Sequence, residues 1–430
     1  MTRILLILLL SVGACRRPVP ERRDAPPVPD QVPETGLAQT PVPPPPEPRP
    51  VNPRIKENQF AVDGTHVDLV RLPAGDGAVQ FVLAGRFDRG QARLLAYVHA
   101  DRIAFRTMEG ALVASAVHEG FPRLARLVPG GAGRPDRVLV GWGRNPVEKT
   151  PTERVSFTLT DASALGAEKK PQAVHEVVFE ARSSRADPQD AVVAADGSLY
   201  LAWFSDKYTV RVGVRAAGVT EVKELVSASM IGRLAVAPRA GGGQQVFVAR
   251  VYGDEPGSDG GLFRLEDGKL SPLPSVRGVR GLWAASTKDG FEVWAGDGWD
   301  KDYGKVARAL VSVVTLRGQT VERRQVAEVA AGYTVLAILP CNLKGPENPG
   351  FLLKTNNQLL WIDASGGSAP AGASAPASAP AGAFAPASAA LTLAQWGGPA
   401  DPVVADVDGD GQDEILIGSP EPALLRARKK

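Results

Sequence analysis

The chain has 430 residues, and its 49 lysines and arginines nearly balance its 47 aspartates and glutamates, for a formal net charge of +2. A balance this close gives no argument for a nucleic-acid partner, which would favour a strongly basic face. There are only two cysteines, Cys15 and Cys341, so at most one disulfide could form.

Residues 1–14 have the layout of a cleaved signal peptide. Arg3 supplies a positive charge, residues 4–10 are an unbroken apolar run, and residues 12–15 (Val-Gly-Ala-Cys) resemble the lipobox of bacterial lipoproteins. An apolar run this short cannot span a bilayer, which takes about 20 residues. The resemblance implies cleavage before Cys15, acylation of that cysteine and anchoring in a membrane through its lipid. An ordinary secretory signal followed by a chance cysteine is the alternative.

Arg16 stands directly after the proposed lipidation site. By resemblance to the sorting rule of enteric bacteria, a residue other than aspartate here favours the outer membrane. We therefore expect an outer-membrane lipoprotein in the cell envelope of a Gram-negative bacterium, on its periplasmic face or at the cell surface. Lipid on Cys15 leaves Cys341 without a disulfide partner, and we expect Cys341 to be a small buried core residue.

Residues 15–54 form a proline-rich segment that densifies between positions 41 and 50. Such a composition cannot bury a core, and its extended form rises about 3.1 Å per residue. We predict a disordered tether that holds the following domain on the order of 100 Å from the lipid when fully extended.

The pattern of residues 55–425 predicts short strands separated by turns, and hardly any stretch has the periodicity of a helix. Seven strand-like segments recur after a turn residue at intervals of about 46 to 62 residues, which is typical of the blades of a β-propeller. We predict an all-β fold, a β-propeller of seven four-stranded blades, with six or eight blades and an array of β-sandwiches as alternatives. The turn residues that precede the seven segments are Gly77, Asp136, Gly197, Gly243, Gly290, Gly350 and Gln412.

Among the turns predicted in the central blades are the Asp-Gly pairs Asp196-Gly197 and Asp289-Gly290. Such pairs favour tight hairpin turns in which the glycine has a positive φ. We expect this conformation at both glycines.

An aromatic and acidic cluster spans residues 294–303. Its side chains could stack on a sugar ring or bind a partner, so it is the best candidate for a ligand-binding loop. The alternative is a loop whose aromatic residues pack on the neighbouring blade. The candidate residues are Trp294, Asp297, Trp299, Asp300 and Tyr303.

Two later segments have a biased composition. Residues 364–390 consist almost entirely of alanine, serine, proline and glycine, so we predict a disordered insertion. Residues 426–430 (Arg-Ala-Arg-Lys-Lys) are expected to form a basic tail, which could touch anionic lipid or simply be solvated.

The segment 406–411 (Asp-Val-Asp-Gly-Asp-Gly) is the most informative motif. Three carboxylates at alternate positions followed by glycine suit a hard cation such as calcium, which takes six to eight oxygen ligands. An EF-hand would place a bidentate glutamate at the twelfth position, where this chain has Ile417, so that interpretation fails. The β-branched flanks at 403–404 and 415–417 predict a loop between two strands.

Residues 403–418 resemble an FG-GAP or VCBS-type repeat, the calcium-loop repeat of integrin-like β-propellers. The resemblance implies a structural calcium ion. Glu414 stands where the family more often has aspartate, and Asp413 could compete for that role. The resemblance further implies that segments 85–90, 131–141 and 342–345 are worn copies of the turn, without the acidic triplet. The implied ligands are Asp406, Asp408, Asp410, Glu414 and the carbonyl oxygen of Gln412.

No catalytic motif is evident. The four histidines are widely separated, and there is neither a zinc-binding His-Glu-x-x-His spacing nor a Gly-x-Ser-x-Gly elbow. We expect a non-enzymatic platform that binds an envelope protein or a glycan. The alternative is a carbohydrate-active enzyme, a polysaccharide lyase or glycosidase, in which carboxylates and an arginine or histidine would converge near residues 294–303.

Overall fold

The fold is that of a computed structural model, and every residue it describes belongs to the compact unit Pro48–Lys430. The predicted signal peptide, Cys15, the tether and nearly all of the alanine-rich insertion lie outside the described residues. The described ranges are 60–62, 66–73, 77–90, 92–131, 133–145, 154–165, 172–174, 176–185, 187–251, 260–274, 278–296, 309–329, 334–364, 390–396, 400–419 and 421–428.

The chain forms seven sheets, taken in sequence order as blades 1 to 7, in which all described strand pairs but one are antiparallel. In blades 1 to 6 the chain runs from an inner strand outward through four strands and then passes to the next blade. The strands up to blade 3 are β1 (Phe60–Val62) and β2 (Val67–Arg71); β3 (Val79–Gly85), β4 (Leu94–His99), β5 (Arg102–Arg106) and β6 (Leu112–Val117) in blade 1; β7 (Phe121–Val128), β8 (Arg137–Gly143), β9 (Arg154–Thr160) and β11 (Glu176–Arg182) in blade 2; and β12 (Pro188–Val193), β13 (Leu199–Phe204), β14 (Thr209–Arg215) and β15 (Lys223–Ser229) in blade 3. The short β10 (Gln172–Ala173), between β9 and β11 in sequence, pairs with β6 at the rim of blade 1.

The remaining strands repeat this arrangement. The only described helical element is a single 3-10 turn, Ser163–Leu165, and no described helix is long and apolar enough to cross a membrane. The strands are β16 (Ile231–Pro238), β17 (Gln244–Arg250), β18 (Leu262–Glu266) and β19 (Lys269–Pro272) in blade 4; β20 (Gly281–Thr287), β21 (Gly290–Gly296), β22 (Ala309–Arg317) and β23 (Thr320–Val329) in blade 5; β24 (Val335–Pro340), β25 (Gly350–Thr355), β26 (Gln358–Asp363) and β27 (Leu391–Trp396) in blade 6; and β28 (Val403–Ala405), β29 (Glu414–Ile417) and β30 (Ala423–Ala427) in blade 7.

Burial falls from the middle of each blade to its rim. Every residue of β4, β13 and β25 is buried, because these second strands are covered on both faces by neighbouring blades. They therefore read as continuous apolar runs rather than as an alternating pattern. The outermost β2 has one buried residue, Val67, followed by four exposed ones.

The blades close into a ring. The described core divides into seven apolar clusters, and each cluster is shared by two adjacent blades. Blades 6 and 7 share one that contains Trp361 and Ile415, and blades 7 and 1 share another that contains Leu416 and Tyr97. Since a blade covers its faces only by stacking on two neighbours, this sequence of clusters defines a seven-bladed β-propeller. The predicted fold class and blade number are confirmed.

Blade 7 combines a strand from the beginning of the described chain with strands from its end. β2 pairs antiparallel with β30 in the register Val67↔Ala427 to Arg71↔Ala423, so it supplies the fourth strand of blade 7. β1 pairs with β27 at the rim of blade 6. The pairing of β30 reaches into the segment predicted as a basic tail, where Arg428 Nε contacts Asp68 Oδ1 at 3.0 Å.

The strand expected after Gly77 is present, but it is β3, the inner strand of blade 1, whereas the other six turn residues precede or begin second strands. One local expectation was wrong. Gly290 does not have a positive φ, unlike Gly197 at +82°. The two-residue turn is Lys288-Asp289, and Gly290 already pairs with Thr287 in the ladder. A side chain at Gly290 would collide with the backbone oxygen of Leu316, so close strand approach explains the glycine.

Candidate metal loop and central channel

The acidic segment lies in the hairpin of blade 7 that joins β28 to β29. Ala405 pairs with Glu414 at the base of the loop, and Val403 pairs with Leu416 further along the ladder. The predicted strand-loop-strand arrangement is therefore present, with the carboxylates at the tip of a rigid hairpin.

Three of the predicted ligands come together. One carboxylate oxygen from each of Asp406, Asp408 and Glu414 lies within 4.8 Å of the others. Calcium–oxygen distances of 2.3–2.6 Å allow two ligands to stand up to about 5 Å apart, so these oxygens can share one coordination sphere. The residues present fit a divalent cation, although exposed acidic groups also cluster without one.

Asp406 is the residue that organises the backbone hydrogen bonds of the loop. Its carboxylate accepts hydrogen bonds from the backbone N–H of Gly409 at 2.6 Å and of Gly411 at 3.2 Å. Both glycines have positive φ, +82° and +85°, a conformation that other residues adopt only with strain. The pattern of aspartates and glycines thus folds the chain back on its own carboxylates, as in an Asx turn.

Glu414 is the buried member of the group, with 1% of its surface exposed. Its Oε2 accepts the backbone N–H of Val407 at 2.7 Å and its Oε1 accepts Nε of Arg426 at 3.0 Å. Burial raises the pKa of Glu414, opposed by these two donors and reinforced by the charge of Asp408. Arg426 also lies 3.1 Å from Asp408 Oδ2, so one guanidinium partly neutralises the group.

The other two predicted ligands lie outside this group. Asp410 is exposed, and its Oδ1 accepts the backbone N–H of Gln412 at 2.9 Å. Ligation by Asp410 and by the carbonyl of Gln412 remains a prediction.

Asp413 has a different partner from the one that the sequence suggested. Its Oδ2 accepts the backbone N–H of Asn342 at 2.6 Å, and its own N–H donates to the carbonyl of Asn342 at 3.2 Å. Asn342 lies between β24 and β25 in blade 6. This reciprocal pair, which we call the inter-blade clamp, joins two neighbouring blades.

A second inter-blade clamp occurs between blades 1 and 2. Asp136 accepts the N–H of Arg86 at 2.8 Å and donates its own N–H to the carbonyl of Arg86 at 2.8 Å. The other carboxylate oxygen of Asp136 accepts Gly130 N–H at 3.0 Å. The segment 131–141 therefore has the clamp but lacks the acidic triplet.

Within the predicted ligand loop, the structure describes Trp294 but not Asp297, Trp299, Asp300 or Tyr303. Trp294 is 1% exposed, and its ring centroid lies 4.0 Å from that of Phe351 in blade 6. Its indole N–H donates to Glu292. These contacts favour the alternative in which the aromatic residue packs on the neighbouring blade.

The centre of the ring holds a network of charged side chains that the sequence analysis missed. Asp401 Oδ2 lies 2.8 Å from Arg233 Nη1 and 3.4 Å from Arg126 Nη2, and its Oδ1 lies 3.6 Å from Lys354 Nζ. Asp190 adds contacts of 2.9 Å to Arg126 and 3.5 Å to Arg233. The network thus links blades 2, 3, 4 and 6 to the segment that leads into blade 7.

Its electrostatics fix the charge states. Arg233 and Lys354 together with Arg126 hold the pKa of Asp401 well below its usual range, against the effect of burial. The pKa of Arg233 is raised further by Asp401 and Asp190, which outweigh its own desolvation. This environment favours the ionised carboxylate of Asp401.

A signal for this network was present in the sequence. Arg126 and Arg233 each interrupt an apolar inner strand, and Lys354 follows Phe-Leu-Leu in β25. A lone cation in an apolar strand needs a buried partner. Only the ring, however, shows that these strands converge on Asp401.

Comparison with protein-family models finds no match, and comparison with curated proteins finds none. Among solved structures, the chain is similar to BBS1N in complex with ARL6DN, with 10% identity, coverage of 84% of this chain and 98% of that one, and a TM-score of 0.46. It is also similar to a gluconolactonase from Xanthomonas campestris, with 13% identity, coverage of 84% of this chain and 100% of that one, and a TM-score of 0.39. A third similar structure is Kuenenia stuttgartiensis hydrazine synthase, with 13% identity, coverage of 70% of this chain and 80% of that one, and a TM-score of 0.41. Likenesses this distant carry no argument about function.

Proposed function

We propose that this protein is a cell-envelope lipoprotein whose propeller is a non-enzymatic module for binding a protein or glycan, with a structural calcium ion in the hairpin of blade 7. The observation that carries the proposal is the convergence of Asp406, Asp408 and Glu414 in the hairpin of a ring that is otherwise closed by packing. The same hairpin supports a kinship with FG-GAP and VCBS-type propellers.

In this proposal the calcium ion has a structural role in the loop and no catalytic role. The ion would join the tip of the loop, Asp406 and Asp408, to Glu414 at the start of β29. The ion would thereby stabilise blade 7, which also contains β2.

The central carboxylates favour a binding role over glycoside hydrolysis. A glycosidase generally needs one carboxyl group with a raised pKa to protonate the leaving group. Asp401 has a lowered pKa and Asp190 accepts charge-assisted hydrogen bonds, so both have the environment of structural ion pairs.

The calcium clip is tested by calorimetry of the wild type and of Asp408→Ala with and without calcium. At a calcium concentration 100 times Kd, the free energy of unfolding of the wild type should rise by about 2.7 kcal/mol, and the variant should lose this response. Asp196→Ala, in an acidic turn outside the triad, should respond like the wild type. Calcium that stabilises neither the wild type nor the control contradicts the proposal.

Arg426→Gln separates the calcium clip from a loop closed by arginine alone. If a cation site exists, removing the competing guanidinium leaves the calcium response intact or increases it. If Arg426 is the only cation of the loop, the variant is destabilised equally with and without calcium.

The lipid anchor is tested separately by cell fractionation. Cys15→Ser should move the protein from the membrane fraction to the soluble fraction, because the acylated residue is lost. An unchanged distribution would rule out anchoring through Cys15.

A further inference from the structure

One end of the central channel opens into a basic cavity of about 310 Å³. Four arginines and a lysine line it together with a single carboxylate. They come from the starts of the inner strands and from β25, so blades 2 to 6 all contribute. The charged lining residues are Arg123, Arg185, Arg233, Arg280, Lys354 and Asp401.

The carboxylates near this cavity are shared among several cations. Asp187 lies 3.2 Å from Arg185 and 3.8 Å from Arg123. Asp401 is shared by Arg233, Lys354 and Arg126, as described above. Among the described lining residues, five cations thus face one carboxylate, an excess that favours a positive potential towards the cavity.

Lys354 is the most deeply buried cation of this wall. Its side chain is 2% exposed, and its ammonium group donates to the carbonyl of Ala400 at 2.7 Å. Burial lowers the pKa of Lys354 to about 8, opposed by Asp401 and reinforced by Arg233 and Arg126. A nearly fully buried cation thus lines a polar cavity that other cations surround.

Arg233 and Asp401 line this cavity and also a second one of about 460 Å³, which is bordered mainly by apolar side chains such as Leu234 and Ile338. The charged network therefore separates a basic compartment from an apolar one. Four arginines line the basic compartment, whereas two, Arg126 and Arg233, line the apolar one.

We propose that the basic cavity binds a small, multiply charged oxyanion, either a phosphate group or a polycarboxylate. Guanidinium forks match the geometry of both groups and bind them through paired hydrogen bonds. The volume suits a compact ligand of this kind. This site is distinct from the acidic loop and does not depend on calcium or on the lipid anchor.

Arg280 links the cavity to the predicted ligand loop. Its backbone N–H donates to the carbonyl of Gly296 at 3.1 Å, and Gly296 ends β21, the strand from which residues 297–308 lead to β22.

The test is isothermal titration of the full chain with inorganic phosphate and, separately, with citrate, each compared with chloride at equal ionic strength. We expect saturable binding of at least one anion. Binding of phosphate alone would identify a phosphate-bearing ligand, binding of citrate alone a polycarboxylate, and both outcomes support the site. Absence of binding above the chloride control overturns it.

Matched variants locate the binding. Arg123→Gln and Arg280→Gln should each weaken affinity about tenfold, because each removes a charge-assisted hydrogen bond. Arg71→Gln, which removes an exposed guanidinium on β2, should bind like the wild type. The side chain of Arg123 is 37% exposed, so its replacement should leave the fold intact. Wild-type affinity in both cavity variants would exclude this cavity as the site.

Discussion

At the scale of single residues, Asp401 has the largest predicted effect on the ring. It is the carboxylate shared by Arg126, Arg233 and Lys354, which lie on three different blades. Removing one partner from a buried charge network leaves the others desolvated and uncompensated. The residue therefore connects the electrostatics of the channel to the stability of the whole fold.

We expect Asp401→Asn to lower the free energy of unfolding by roughly 3–5 kcal/mol at pH 7. Its lowered pKa also sets a pH dependence. Because the unfolded carboxyl titrates near about 3.9 and the folded one below that, its contribution is complete above this value and is lost as pH falls. Denaturant unfolding at pH 7 and pH 3 should show the gap between wild type and variant narrowing in acid.

Glu421→Gln is a suitable control, because it removes an exposed ion pair with Arg71. Exposed pairs contribute about 0–1 kcal/mol, so this change should be small at both pH values. If Asp401→Asn were as stable as the wild type at pH 7, the network would have no stabilising role.

At the scale of elements, the inter-blade clamp is the feature that recurs. Asp413 with Asn342 and Asp136 with Arg86 have the same reciprocal pattern, although only blade 7 has the acidic triplet. The residue that follows each clamp partner, Leu343 or Phe87, is buried. The clamp and its apolar neighbour therefore recur at both blade interfaces, whereas the acidic triplet occurs in blade 7 alone of these two positions.

Alanine at Asp136 should destabilise the ring more than alanine at Asp413. The first change removes the acceptor for two backbone N–H groups and the second for one, and each buried donor left without a partner costs about 1–3 kcal/mol. Chemical denaturation with EDTA present measures both without a metal contribution. Asp88→Ala, whose carboxylate accepts only within an exposed turn at Gly90, is the control and should change little. The reverse order of stabilities would contradict the clamp.

At the scale of the whole molecule, the repeat of apolar strands predicted the ring because each second strand is covered on both faces. The acidic hairpin was also predictable, because its alternating aspartates and positive-φ glycines shape the loop through contacts between residues that are close in sequence. The channel network was not, because Arg126, Asp190, Arg233 and Asp401 lie far apart in sequence. The strand after Gly77 was predicted, but its place in the blade was not, since an inner strand and a second strand have the same apolar pattern.

Blade 7 combines the closure of the ring with the candidate metal site. β2 closes it from the start of the described chain, and the acidic hairpin stands at its inner edge. A cation held by Asp406, Asp408 and Glu414 would stabilise β28 and β29 directly, and through β30 it would stabilise the pairing of β2.

Hydrogen exchange with and without calcium tests this claim most directly. We predict that calcium slows exchange of the amides of β28, β29, β30 and β2 in the wild type, leaves blades 2 to 5 unchanged, and has no effect in Asp408→Ala. Exchange in blade 7 and β2 that is the same with and without calcium, or that slows equally in the variant, would contradict a metal-clipped closure of the ring.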